Sequence, residues 1–179
     1  MTKQNFYVLT GGPGGGKTSL LENLAGKGYS YVPDEARRII RERISRGLPP
    51  RPEPEEFAME IFRRDRKNFN KNIDVTTPLF FDRSFIDSAG MLSECDINIY
   101  NRIRHFHITN RFNQKVFITP PWEEIYRTDS ERDQTFTESV RVYEKIMQLY
   151  IKSGYEMIEL PKNTIEVRAQ FILEHISNL

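Results

Sequence analysis

Cysteine is almost absent from this chain, with Cys95 standing alone among 179 residues. One thiol cannot close a disulfide within the chain and gives no support to a cysteine-based metal site. Its isolation fits a reducing compartment, so a cytoplasmic protein is expected. No activating partner for Cys95 is legible, and it reads as buried filler. Long apolar runs are missing too. No segment approaches 18 apolar residues, so no membrane span is expected. Met1-Thr2-Lys3 leads straight into an apolar run, so no signal peptide is expected. Nor does either charge dominate: 26 Lys and Arg stand against 25 Asp and Glu, a net charge of +1. That removes any global attraction to nucleic acid or anionic membrane. Residues 36–72 hold eleven Lys/Arg against six Asp/Glu, and residues 119–160 hold five against nine. Both read as solvated helix faces. A nucleic-acid role would rest on the first stretch alone, with no recognition motif beside it. Histidine is scarce as well. His105 and His107 lie among Arg102, Arg104 and Arg111, with no acid or cysteine at ligand spacing, so no zinc site is expected; His175 reads as structural.

What the chain has in excess is glycine at one place. Five of its ten glycines fall within residues 11–16, in the string GGPGGGKT over residues 11–18. The string fits the phosphate-loop template G-x-x-x-x-G-K-[ST], with Gly11, Gly16, Lys17 and Thr18 at the fixed positions. A loop that wraps a phosphate must turn its own N–H groups inward, through backbone angles that glycine adopts cheaply. Gly11, Gly12, Gly14, Gly15 and Gly16 supply that freedom, Pro13 stiffens the loop, and Ser19 completes the expected cradle. Lys17 offers a cation to the β- and γ-phosphates, and the Thr18 hydroxyl suits Mg²⁺. The flanks agree. Phe6-Tyr7-Val8-Leu9 reads as a buried strand, and Leu20, Leu21 and Leu24 come after the loop at helical spacing. The N-terminus of that helix adds its own attraction for anions.

Five apolar runs read as strands: Phe6–Thr10, Tyr29–Pro33, Leu79–Asp82, Lys115–Thr119 and Tyr155–Leu160. Helical stretches separate them, which predicts an α/β fold whose parallel sheet is covered on both faces. All 179 residues suit one domain. Val140, Tyr143, Ile146, Met147, Tyr150 and Ile151 mark a core-facing helical stripe ended by Gly154. Ile165, Ala169, Ile172 and Ile176 mark a last helix, capped by Asn163 or Thr164. The proline-rich residues 48–54 form a stiff connector leading to a helix near Glu55–Asn70. The run Tyr155–Leu160 is expected at or near a sheet edge.

Ligands of such sheets bind beyond the carboxyl ends of the strands, so the residues just past each run are the candidates for chemistry. Asp82 ends one run and is expected to help hold Mg²⁺. Arg83 is next, suited either to a phosphate or substrate carboxylate or to a helix-start ion pair. Asp34 and Glu35 stand after another run. Either carboxylate can accept a proton from an attacking hydroxyl, and either can cap the helix that begins there. Residues 121–136 are polar and read as a lid or as an exposed, salt-bridged helix. On a straight helix Arg127 and Arg132 point about 140° apart. Only an irregular or closing lid brings both to one site. Tyr31, Phe57 and Phe85 suit either base stacking or the core.

With these elements located, the chain resembles the P-loop nucleoside and nucleotide kinases. It is most similar to the small AAA-type ATPase-like family related to the ribosylnicotinamide kinase domain. The resemblance runs through GGPGGGKTSLLENLAGKGY, VPDEARRII, FFDRSFID, VFITPPWEEIYRTDSERDQTF and GYEMIELP. It implies a three-layer P-loop fold with a five-stranded parallel sheet, Asp82-Arg83 near Mg²⁺ and substrate, a strand-end carboxylate at Asp34 with Glu35 one place late, and a lid at PPWEEIYRTDSER.

The expected activity is ATP- and Mg²⁺-dependent phosphoryl transfer to a small hydroxyl-bearing acceptor such as a nucleoside. Lys17, Arg83, Arg127 and Arg132 would offset charge, and Asp34 or Glu35 would orient the acceptor. The alternative is an ATPase or switch that acts on a protein partner. Motor-type ATPases place Glu after the strand-end Asp to polarise water, whereas this chain has Arg83. A GTPase would need Asn-Lys-x-Asp after an apolar strand. Asn70-Lys71-Asn72-Ile73-Asp74 is one residue too long, and Asp87-Ser88-Ala89-Gly90 lies five residues past its strand.

Overall fold

The structure, a computed structural model, describes residues 2–92, 97–127 and 134–177. Five strands form one sheet: β1 (Phe6–Gly11), β2 (Ser30–Val32), β3 (Leu79–Asp82), β4 (Lys115–Thr119) and β5 (Glu156–Glu159). The spatial order is β2-β3-β1-β4-β5 with every pairing parallel. Alternation decides the faces. Phe6, Val8, Leu79, Phe81, Val116 and Ile118 point to one side; Tyr7, Leu9, Phe80 and Phe117 point to the other. The first side is covered by α3 (Pro54–Lys71), α4 (Phe85–Leu92), α5 (Ile97–Thr109) and α6 (Phe136–Lys152). The second is covered by α1 (Lys17–Gly26) and α7 (Ile165–Ser177). A smaller cluster joins α2 (Glu35–Ser45) to α3 through Ile39, Ile40, Phe57 and Ile61. This is the expected three-layer α/β arrangement. No described helix is long and apolar enough to cross a membrane.

The elements start and stop for local reasons. Thr135 and Glu138 close a reciprocal capping box at the start of α6. Gly154 takes a left-handed backbone (φ 78°) just past its end, where its N–H donates to the Ile151 carbonyl. At α7 the Thr164 hydroxyl accepts from the Val167 N–H, while Asn163 serves the Thr164 N–H one residue earlier. One member of the expected α6 stripe faces away from the core: Ile151 is half exposed. It comes directly after the fully buried Tyr150, and one step along a helix turns the side chain by about 100°. The β5 edge position agrees with the sequence expectation. Cys95 and residues 128–133, which include Arg132, lie outside the described residues. Among the described residues no group of three His, Cys, Asp or Glu side chains is arranged to hold a metal. His175 packs on Phe171, ring centroids 4.2 Å apart, and bonds its carbonyl.

The core beside β1 is aromatic. Phe69 of α3 is fully buried, with ring centroids 5.3 Å from Phe6, 5.2 Å from Phe112 and 5.8 Å from Phe85. These edge-on contacts hold α3 to β1, to α4 and to the segment just before β4. Phe69→Ala is expected to cost about 3–5 kcal/mol of unfolding free energy. Urea denaturation measures it, and a loss below about 1 kcal/mol would show that Phe69 does not anchor this layer.

Candidate functional site

The strand register sets the geometry. Leu9 pairs with Asp82, and Gly11 pairs with Thr119, so the carboxyl ends of β1, β3 and β4 lie side by side. The phosphate loop springs from β1 between the other two. Lys17 folds back over it, donating from Nζ to the carbonyls of Gly11 (3.1 Å) and Gly12 (2.8 Å). Gly16 precedes α1 in a left-handed conformation (φ 76°), and no side chain caps the helix. The first-turn N–H groups of α1 are thus left for another acceptor. Glycine is needed here for space as well. A Cβ at Gly14 would run into the Tyr126 ring, and one at Gly15 into the Thr119 side chain.

Asp82 and Arg83 meet the loop from β3. Asp82 is buried, and its Oδ1 has no hydrogen-bond partner. Burial raises its carboxyl to about 6, and the nearby Asp34 adds to this; Lys17 and Arg83 oppose it. Lys17 is pushed the other way, down to about 7, by burial first and Arg83 second, against the pull of Asp82 and Asp34. Arg83 has a left-handed backbone (φ 69°), the sole non-glycine among the described residues to do so. That costs about 1–3 kcal/mol. Its N–H donates to the Leu9 carbonyl (3.0 Å), and its guanidinium spans Asp34 (3.4 Å) and Asp87 (3.2 Å). Burial disfavours the guanidinium charge, but Asp34, Asp87 and Asp82 together outweigh it and hold the proton more tightly than usual.

The two neighbouring acids, Asp34 and Glu35, part company. Asp34 Oδ1 caps α2, accepting from the N–H groups of Ala36 (2.8 Å) and Arg37 (3.4 Å), while Oδ2 faces Arg83. Glu35 is buried between α2 and α3. Its Oε1 accepts from Arg38 and Asn68, both at 2.7 Å, and Oε2 lies 3.7 Å from Arg64. Arg64 also grips Glu42 through two parallel bonds of 2.9 and 2.8 Å, so this network ties α2 to α3.

Two cavities meet at these groups. The larger, about 870 Å³, runs from Lys17, Thr18 and Asp82 to Trp122, Ile125 and Ile165. The smaller, about 300 Å³, lies between α2, α3 and α6, with apolar walls from Ile40, Phe57, Ile61, Val142 and Ile146. Asp34, Arg37, Asp82 and Arg83 line both. Of the three aromatics singled out by sequence, Phe57 lines the smaller cavity. Phe85 is fully buried in the α4 core, and Tyr31 packs with the α1 and α7 layer, because the strand's alternation turns it to that face. Arg127 lines neither cavity; its Nη1 donates to the Tyr126 carbonyl (2.6 Å) beside the single helical turn Glu123–Ile125.

Three residues at the site carry little or no sequence signal. Asp87 accepts from Thr10 (2.6 Å), Tyr150 (2.7 Å), the Ser84 N–H (2.9 Å) and Arg83, fastening β1, the β3–α4 turn and α6 together. Its spacing of four from Arg83 was the available clue. Asp65 lines the smaller cavity; burial, with Asp34, Asp87 and Glu35 nearby, pushes its carboxyl up, against Arg83. In sequence it is one acid among arginines. Arg168 of α7 reaches the loop from 153 residues away and donates to the Gly15 carbonyl at 2.9 Å.

The profile of the family described as "AAA domain" matches residues 6–168. No curated protein matches the chain. Among solved structures, deoxyadenosine kinase from M. mycoides with dCMP and dCDP is similar with a TM-score of 0.70 at 12% identity, covering 97% of this chain and 100% of that one. The same kinase with bound dATP gives 0.67 at 14% identity, covering 96% and 98%. A NadR protein in complex with NR gives 0.73 at 13% identity, covering 96% of this chain and 51% of that one. At such identities the likeness is one of fold. The profile match spans most of the sequence, and the chain therefore belongs to the AAA domain family; its fold is similar to that of the deoxyadenosine kinase and NadR structures.

Proposed function

We propose that the protein transfers a phosphoryl group from ATP to a hydroxyl of a small, nucleoside-like acceptor. The observation that carries this reading is the junction of the two cavities at Asp34, Arg37, Asp82 and Arg83. ATP occupies the larger cavity with its phosphates on Gly11–Ser19. The smaller cavity, apolar on its walls with Asp65 and Gln134 among its polar groups, takes the acceptor. The solved neighbours support the class: one kinase there carries deoxynucleotides and the other protein carries NR.

A Mg²⁺ ion fits the residues present. The orphaned Asp82 Oδ1 is a buried acceptor in need of a cation, and Thr18 supplies a hydroxyl on the same cavity wall. When bound, Mg²⁺ offsets the charge of the phosphates. The chain's own groups do the rest. Of the adjacent pair, Asp34 rather than Glu35 lines both cavities; it orients the acceptor hydroxyl and takes its proton. Glu35 is a strut between α2 and α3. Lys17 and Arg83 stabilise the charge that develops on the transferring group. Arg127 takes part only once the turn beside it rearranges, since it lines neither cavity as that turn stands.

Asp34→Asn separates these roles, because asparagine also caps helices well. It is expected to keep the fold and lower kcat about 10²–10⁴-fold. Glu35→Gln is expected to cost about 1–3 kcal/mol of stability with kcat within about threefold of wild type. ADP release measured against a nucleoside and metabolite panel checks both, together with denaturant unfolding. Equal losses of turnover would refute the assignment, and so would turnover that no small molecule stimulates.

The lowered Lys17 pKa gives a second expectation. Between about 7 and the ordinary 10.5 the unfolded chain holds a proton that the nucleotide-free fold releases. The unfolded state binds more protons in that window, so stability on this account rises with pH across it. Below about 7 the fold carries the whole cost of a buried ammonium. Lys17→Met is thus expected to abolish turnover and to raise the nucleotide-free melting temperature more at pH 6 than at pH 9. Calorimetry at the two pH values reads the difference; an identical shift at both would sink it.

A further inference from the structure

Arg168 presents a charge problem that the described residues do not solve. The residue is 2% exposed, near the start of α7. Its Nη2 donates to the Gly15 carbonyl, and a Cβ placed on Gly16 would lie 3.0 Å from Nη1. The guanidinium therefore lies against the phosphate loop where α1 begins. Its Nε is buried without a partner. Glu166 and Glu22 line the same cavity, yet Arg168 forms no ion pair with a described carboxylate. Burial depresses its pKa and no neighbouring charge moves it, but a guanidinium starting above 12 stays ionised.

A buried cation without a counter-ion destabilises the fold, because its lost hydration is not replaced. Two more positive features line the same cavity: the Lys17 ammonium and the open N-terminus of α1. All three face the cavity that Arg168 lines. A carboxylate paired with it would have cancelled the charge, and none of the described carboxylates is so placed. An incoming polyanion cancels it instead.

We propose that Arg168 is a second fixed cation of the phosphate site, left without an ion pair among the described residues so that the phosphate chain of a nucleotide supplies its counter-ion. This rests on the reading of Gly11–Ser19 as a nucleotide cradle and adds a residue to it. The guanidinium does two things there. It holds the loop through the Gly15 carbonyl, and it raises the attraction for the triphosphate. The charge costs the empty protein stability and returns it on binding.

Two substitutions separate charge from loop support. Arg168→Gln removes the charge but retains an N–H donor for the Gly15 carbonyl; Arg168→Met removes both. Calorimetric titration with ATP and Mg²⁺ measures affinity, and thermal unfolding without nucleotide measures the cost. In each variant ATP binding is expected to weaken about tenfold or more, the usual scale for a charge-assisted contact. The nucleotide-free melting temperature of Arg168→Gln is expected to equal or exceed that of wild type. KM for the acceptor is expected to stay within about twofold, since Arg168 does not line the acceptor cavity. An Arg168→Gln protein that binds ATP as tightly as wild type would overturn the proposal and leave Arg168 as a structural tie. Should wild type itself bind no ATP, the nucleotide reading fails first, which is a separate result.

Discussion

The parallel pairing of β1 between β3 and β4 is the constraint on which the whole cleft depends. Gly11 and Thr119 end their strands side by side, and Asp82 ends its own level with Leu9, because the backbones are hydrogen-bonded in register. A slip of one residue would turn each strand's core face outward and carry Asp82 away from Lys17. The register is protected by burial on both sides: aromatic and branched side chains fill the α3–α6 face, and Leu9, Phe80 and Phe117 fill the other. A dry, rigid sheet thereby delivers polar groups to one edge. Asp87 then locks that edge, bonding β1, the turn after β3 and α6 at once.

Charge is concentrated at this edge in a form that isolated helices and strands would not tolerate. Lys17, Arg83 and Arg168 are drawn in from solvent together with Asp34, Asp82 and Asp87. The acids compensate Arg83 most directly, through two ion pairs. Lys17 is left to backbone carbonyls, and Arg168 to a single one. The pKa directions reflect this distribution: burial dominates at Lys17 and Asp82, and neighbouring acids dominate at Arg83. Such incomplete pairing suits a cleft whose proposed ligand carries the missing negative charge.

Much of the fold was legible because each strand is a short apolar run with a turn or helix signal behind it. The edges of β2 and β5 moved by one residue, since their ends are held by neighbours rather than by their own composition. Ile151 misled because hydrophobicity alone does not say on which side of a stripe a boundary residue falls. In the candidate site, Lys17 and Asp82 could be found from the motif and the strand end. Asp34 and Glu35 could not be told apart, for adjacent residues share every local signal. Only packing separates them, with α3 offering Asn68 and Arg64 to Glu35 and leaving Asp34 toward Arg83. Asp65 and Arg168 were invisible, being ordinary charged residues on helices that elsewhere face water.

Local physical chemistry, read from the sequence by itself, determined the elements and the loop. A glycine run after a buried strand and before a helix has few other uses, and alternating apolar residues can bury only one way. The partners were decided by the tertiary structure. Which carboxylate faces the junction, which aromatic lines the smaller cavity and which distant arginine reaches Gly15 all depend on contacts across tens of residues. Those contacts are set by how the helices settle on the sheet, a collective outcome of packing that no short window of sequence contains.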